Sequence, residues 1–120
     1  MRIAVPSESA EGLKAQRSGH FGHAAYFAVV DIQDGVVRDV ETVKNIDHDA
    51  YGCGGVIDYV SGLGVDAILT AGMGPRPFSR FTEAGITVYH ETTKPIVGDA
   101  IELFIKGGVE PMDPDFACRH

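Results

Sequence analysis

The stretch Asp47-His48-Asp49-Ala50-Tyr51-Gly52-Cys53-Gly54-Gly55 joins a polar run to a segment with helical spacing, Val56 to Leu63. Three of its last four residues are glycine, which lets a backbone adopt positive φ and approach a ligand closely. We therefore predict a glycine turn that opens a helix. The amides of a helix start attract anions, and the same field favours a thiolate at Cys53. With His48 nearby, the stretch is a candidate site for an anionic or soft ligand.

Length and composition indicate one domain with an ordinary core. The chain has 120 residues, 44% of them hydrophobic, and a formal net charge of -7. Nucleic acids and anionic membranes both require basic surface, so this charge argues against either partner. No apolar run reaches the length of a membrane span, and the N-terminus is typical of a strand rather than a signal peptide. Because two cysteines make no disulfide framework, we expect a cytoplasmic protein.

Working outward from the glycine stretch, the pattern predicts the element order β-β-β-α-β-α-β-α. A short apolar strand ends at Pro6, and a hairpin follows with its turn at Asp34-Gly35. After the glycine stretch, helices alternate with two short apolar strands, which right-handed crossovers make parallel. We assign residues 1–107 to a single domain and residues 108–120 to a loosely held tail.

If the first and third strands share the direction of the later two, four loops emerge at one end of the sheet. Ligands of open α/β sheets bind outside the carboxyl ends of the strands. These loops carry four of the five histidines, one cysteine and two glycine-rich turns. The candidate cofactor-binding residues are Ser18, Gly19, His20, Phe21, Gly22, His23, His48, Gly52, Cys53, Gly54, Gly55, Gly72, Met73, Gly74, Arg76 and His90. Among them, His20, His23 and Cys53 are the candidate metal ligands, because imidazole and thiolate suit copper.

Several candidates have an ordinary alternative. The histidines could hydrogen-bond the backbone, Cys53 could be an inert buried thiol, and Met73 could belong to the core. Arg76, together with Arg17, could neutralise an anionic ligand at the rim, or be solvated. The chain ends in a Cys-x-His spacing that includes Cys118, and we expect this tail to be uninvolved.

Four elements carry a resemblance to a known family. They are the opening Met1–Pro6, the run Ser18-Gly19-His20-Phe21-Gly22-His23-Ala24 leading into Tyr26-Phe27, the turn Gly52-Cys53-Gly54-Gly55, and Gly72-Met73-Gly74-Pro75. Over about residues 1–107 the chain resembles the dinitrogenase iron-molybdenum cofactor family, which includes NifX, NifY and the carboxyl-terminal domain of NifB. The resemblance implies an α/β fold with a ribonuclease-H-like motif, in which helices flank a five-stranded mixed sheet.

The resemblance also implies a function. Within the family the chain is similar to the orange protein of sulfate-reducing bacteria, which implies a non-enzymatic binding or carrier protein. The implied cofactor is an anionic molybdenum-copper sulfide cluster, or a related metal-sulfur cofactor, held without extensive covalent ligation. Two alternatives stay open. One is a small Cys/His enzyme, with Cys53 as nucleophile and a histidine as base. The other is an adaptor for a MinD- or Mrp-type ATPase, a partner that the resemblance alone implies.

Overall fold

The computed structural model describes residues 1–19, 21, 24–46 and 48–113, and for residues 48–54 it describes the backbone alone. A short 3-10 helix, Gly12–Lys14, lies between the first two strands. The strands are β1 Arg2–Ser7, β2 Tyr26–Gln33, β3 Val36–Lys44, β4 Ala67–Thr70, β5 Thr87–His90 and β6 Glu110–Pro111. The helices are α1 His48–Ser61, α2 Pro75–Glu83 and α3 Val97–Ile105.

The strands form one mixed sheet in the order β3-β2-β1-β4-β5-β6. β4 is parallel to β1 and to β5, whereas β2 is antiparallel to both β1 and β3. Consequently β1, β3, β4 and β5 all finish at the same end of the sheet, with Ser7, Lys44, Thr70 and His90 as their last residues. We call this end the carboxyl edge. The predicted convergence of four loops is therefore confirmed.

The sheet has six strands, so the prediction of five was wrong. The sixth strand, β6, pairs antiparallel with β5 and lies beyond residue 107, in the stretch interpreted as a tail. A two-residue strand that contains proline shows no alternating pattern from which it could be predicted. It is held by the Met112 N–H, which donates to the Val88 carbonyl at 2.7 Å, and by the buried Met112 side chain. The mixed α/β class is confirmed, and the ribonuclease-H-like relationship stays a prediction.

Side chains alternate between the two faces of the sheet, as the strand period of two requires. Ala4 and Ile68 pack with α1 and α2 in one core cluster. Their chain neighbours Ile3 and Leu69 pack with α3 in the other. The helices thus cover both faces, and most of the buried apolar surface lies between sheet and helices rather than at the carboxyl edge.

Helix α1 begins eight residues before the predicted start at Val56, so the predicted glycine turn was wrong. Residues 52–55 lie inside the helix, where each N–H donates to the carbonyl four residues earlier. The amides of Gly54, Gly55 and Val56 are therefore not free for an anion. Each interior glycine costs about 1 kcal/mol relative to alanine, which is why the pattern favoured a turn. Burial of Val56, Ile57 and Val60 against the sheet outweighs that cost.

Other local predictions were confirmed. Asp34 and Gly35 have φ of 55° and 75°, and these values are typical of the tight hairpin turn that Asp-Gly favours. β3 is an edge strand of the sheet, as its charged residues predicted. Gly85, with φ of 81°, follows α2. In the described part of the chain, every helix is too short or too polar to cross a membrane.

Candidate functional site

Backbone hydrogen bonds connect the loops at the carboxyl edge. The Ser18 N–H donates to the Pro6 carbonyl in β1 at 3.0 Å, and the Glu91 N–H donates to the Thr70 carbonyl at 3.0 Å. On the other side, the Asn45 Nδ2 donates to the Ala24 carbonyl at 2.8 Å. These bonds tie the connection after β1 to the residue after β3, and the residue after β5 to the end of β4.

Residues 18–24, which we call the histidine loop, are anchored in the middle by Phe21. The Phe21 ring is buried, 5.6 Å from the ring of Phe27 and 5.3 Å from that of Phe81, the latter edge to face. Such aromatic pairs add stabilisation beyond their buried area. His20, Gly22 and His23 lie outside the described residues. In the described structure, Phe21 is a core anchor for the loop that carries them.

Both ends of the histidine loop are also held. Before it, the Arg17 N–H donates to the Pro95 carbonyl at 2.7 Å. After it, the Asn45 N–H donates to the Ala25 carbonyl at 3.0 Å, in addition to the side-chain bond to Ala24. Ser18 is buried, whereas Gly19 is exposed and a Cβ added there would meet nothing within 4 Å among the described residues. Local packing therefore does not require a glycine at position 19.

A buried ion pair lies next to the start of this loop. The Arg17 Nη1 donates to the Glu91 Oε1 at 2.7 Å and to the Lys94 carbonyl at 2.9 Å, and the Arg17 Nη2 donates to the Glu91 carbonyl at 2.7 Å. Both side chains are 5% exposed. The expectation that Arg17 neutralises an anion at the rim was wrong, because its guanidinium is already committed to Glu91 and to backbone carbonyls.

The Glu91 carboxylate accepts further hydrogen bonds. The Thr93 N–H and hydroxyl donate to its Oε2 at 2.8 and 2.6 Å, and the Lys94 N–H donates to its Oε1 at 2.9 Å. Burial by itself raises the pKa of Glu91. The bonds from Thr93 and Lys94 and the charge of Arg17 outweigh burial and lower that pKa to about 2. Glu91 is therefore ionised across the physiological range.

The turn after β4 is braced by Thr70, whose hydroxyl donates to the Gly72 carbonyl at 3.0 Å and accepts from the Gly72 N–H at 3.3 Å. Met73 is 3% exposed and belongs to the core cluster under α1 and α2. Gly74 is the N-cap of α2. The alternative interpretation of Met73, as a core residue rather than a ligand contact, therefore agrees with its burial.

The start of α2 offers few donors to an anion. Pro75 and Pro77 have no N–H, and the Phe78 N–H donates to the Gly74 carbonyl at 3.2 Å. In the first turn only the Arg76 amide is left open, so this helix start is a weaker anion site than a glycine-rich turn predicts. The Arg76 side chain is exposed and makes no ion pair with the described residues, which leaves its charge available at the carboxyl edge.

The remaining candidates lie on α1 and β5. His48 is the first residue of α1, and Gly52, Cys53, Gly54 and Gly55 follow within the helix. The side chains of residues 48–54 lie outside what the structure describes. His90 ends β5 half-buried, beside Thr70 of β4 and Glu110 of β6. Among the described side chains, no group of three or more His, Cys, Asp or Glu residues could hold a metal ion.

Sequence reasoning missed two residues that organise this edge, Glu91 and Asn45. Glu91 is paired with a residue 74 positions away, and no local pattern indicates such a contact. Its spacing to Thr93 and Lys94 was an available signal, because a carboxylate two and three residues before backbone donors can close a turn. Asn45 directly follows β3, and asparagine at the start of a turn commonly bonds nearby backbone.

The fold and these loops define a small α/β protein whose candidate site lies at the carboxyl ends of its parallel strands. The family model described as dinitrogenase iron-molybdenum cofactor matches residues 1–107, and the chain belongs to this family. The family resemblance found in the sequence is thereby confirmed.

Individual relatives agree with the family assignment. An uncharacterized protein from Methanocaldococcus jannaschii is 30% identical over 115 residues, covering 94% of this chain and 92% of the relative. The structure of a putative NifB protein from Thermotoga is similar with a TM-score of 0.74 and 32% identity, covering 92% of this chain and 91% of that one. The apo form of the orange protein from Desulfovibrio gigas has a TM-score of 0.76 and 28% identity, covering 93% and 96%.

Proposed function

We propose that this protein is a non-enzymatic carrier for an anionic metal-sulfur cluster, which binds at the carboxyl edge. The observation that carries the proposal is that the histidine loop is anchored at its middle and at both ends beside the turn after β4 and the end of β5. A loop held in this way can present ligands to a bulky group. Membership of the cofactor family and likeness to the orange protein support the choice of cargo.

The finer assignment is a molybdenum-copper sulfide cluster held with few covalent bonds. Such a cluster brings its own sulfur to copper, so imidazoles of His20 and His23 would serve as ligands or hydrogen-bond donors. Cys53 is the third proposed contact. The net charge of -7 opposes an anionic cargo, so attraction has to be local. The exposed charge of Arg76 and the helix start at His48 are the local sources.

The test is cluster retention. Metal-free protein is mixed with tetrathiomolybdate and copper, separated by gel filtration and analysed for both metals. We expect them to elute with the protein, and His20→Ala, His23→Ala and Cys53→Ser to reduce retention modestly and comparably. Cys118→Ser, in the tail, is the matched thiol control and should behave like the parent. Protein that elutes without molybdenum would contradict the carrier function.

The same variants also decide how the cluster is held. Complete loss with Cys53→Ser, without any effect of either histidine change, would replace the proposed arrangement by a thiolate copper site, because a hydroxyl is a poor substitute for a soft sulfur ligand.

A further inference from the structure

The Arg17–Glu91 pair joins three of the strand ends at the carboxyl edge. Arg17 belongs to the connection after β1, and Glu91 directly follows His90 at the end of β5. The Glu91 N–H also donates to the carbonyl of Thr70, the last residue of β4. One buried cluster of hydrogen bonds therefore sets where the histidine loop begins relative to His90 and to the turn after β4.

A buried ion pair is weak evidence for a role in stability. Removing both charges from water costs about as much as their attraction returns, and an apolar replacement is often neutral or stabilising. The Arg17 Nε adds to the cost, since it is buried without a hydrogen-bond partner in the described part of the chain. The pair instead fixes the relative orientation of the segments that it joins, through three hydrogen bonds from one planar guanidinium.

We propose that Arg17 and Glu91 are positioning residues for the histidine loop, holding its first residues in the arrangement that receives the cluster without touching the cluster themselves. This inference rests on the proposed function. Both side chains are 5% exposed, so neither is presented to a ligand at the surface. A loop that is already ordered in the free protein binds more tightly, because it loses less conformational entropy when the ligand binds.

The test separates positioning from stability with the double variant Arg17→Met/Glu91→Gln, which removes both charges but keeps an acceptor oxygen for Thr93 and Lys94. We expect a thermal midpoint within about 5 °C of the parent. The affinity for tetrathiomolybdate with copper, titrated by visible absorption, should fall about 10- to 100-fold, the usual effect of losing an outer positioning contact. In the metal-free variant, amide hydrogen exchange should accelerate at residues 18–21 and stay at parent rates in β1 and β4.

The matched control is Arg2→Met, which removes another arginine paired with two carboxylates, at the opposite end of the sheet. It should leave both the affinity and the exchange of residues 18–21 unchanged. If the double variant does not fold, Arg17→Lys replaces it, since lysine keeps the charge but loses the planar fork. A lower affinity of Arg17→Lys at a parent-like midpoint supports positioning, and a parent affinity overturns it.

Parent affinity with parent exchange rates in the folded double variant would overturn the positioning role. Equal weakening by Arg2→Met would also overturn it, because the loss would then reflect general destabilisation. If the parent itself binds no cluster, the carrier function fails separately. Exchange rates then decide: acceleration confined to residues 18–21 supports the positioning role, and unchanged rates refute it.

Discussion

Two arginines sit at opposite ends of the same sheet and are used differently. Arg2 opens β1 and pairs with Asp31 at 3.1 Å and with Glu41 at 3.0 Å, with side-chain exposures of 28%, 37% and 56%. Arg17 at the carboxyl edge pairs with Glu91 in near-complete burial. Water screens the first cluster and is excluded from the second.

The difference reflects what already fixes the backbone at each end. Around Arg2 the ladder between β1 and β2 is regular, and Arg2 pairs with Asp31 across it. An exposed ion pair there adds little to geometry. At the carboxyl edge the chain leaves the regular ladder, and the order of its loops depends on side-chain bonds such as that of Arg17 to Glu91. The buried pair thus connects loops that the sheet ladder does not order, whereas the exposed cluster lies on strands that are already paired.

Removing Arg17 should have the largest effect. Arg17→Met leaves a buried carboxylate without its cation, and breaking a buried pair in this way costs about 3 to 5 kcal/mol. We expect the lower end of that range, because Thr93 and Lys94 still donate to Glu91. Arg2→Met should cost about 1 kcal/mol or less. Urea unfolding measures the loss of unfolding free energy in both variants. Equal losses would contradict the difference between the buried and the exposed ion pair.

The second-largest effect should be a loss of stability in acid, caused by protonation of Glu91. The pKa of Glu91 is lowered to about 2, so its ionised form stabilises the fold fully above about pH 4.5 and this contribution is lost as the pH falls toward 2. The size of the shift limits the effect to about 3 kcal/mol. Unfolding free energies measured between pH 5 and 2 should fall less steeply for Glu91→Gln than for the parent. An unchanged slope would show that Glu91 does not titrate as its contacts require.

A smaller effect should come from Gly98, where α3 meets the 3-10 helix. A Cβ at this position would lie 2.9 Å from the Leu13 carbonyl oxygen, so Gly98→Ala has to move backbone. We expect a loss of about 1 to 3 kcal/mol in urea unfolding, as for other overpacked sites. Parent stability would mean that the segment before Arg17 is held more loosely than its contacts indicate.

The smallest effect on stability should come from Gly19 in the histidine loop. Its added Cβ meets nothing within 4 Å in the part of the loop that the structure describes, so Gly19→Ala should change the unfolding free energy by about 0.5 kcal/mol or less. The informative measurement is cluster affinity, which a methyl group reduces if the cargo approaches the backbone there. With Gly98→Ala as the stability control, a parent affinity would remove Gly19 from the binding surface.

Local chemistry was predictable from the sequence, and long-range chemistry was not. The Asp34-Gly35 turn and the proline-led start of α2 follow from backbone preferences of the residues themselves. The start of α1 was missed because burial of its apolar face overrides the glycine preference of residues 52–55. The Arg17–Glu91 pair was missed because its partners lie 74 residues apart.

The candidate site shows the same division. The strand directions needed to gather the loops at one end could be inferred from the alternation of helices and short apolar strands. The sequence could not show which side chains of these loops are buried. Phe21 and Met73 belong to the same glycine-rich motifs as their neighbours, but both are buried in the core. A glycine-rich motif predicts where the chain turns, but tertiary packing determines which side chains of that motif are exposed.

The short strand β6 has a consequence for self-association. Met112 directly follows β6, and its N–H donates to the Val88 carbonyl in β5. The nitrogen of Pro111 therefore faces away from β5, where an added strand would need a donor. Proline cannot supply that donor. At the other side of the sheet, β3 carries the charges of Arg38, Asp39 and Glu41. Among the described strands, both edge strands are thus unfavourable templates for another strand, which disfavours edge-to-edge aggregation at high concentration.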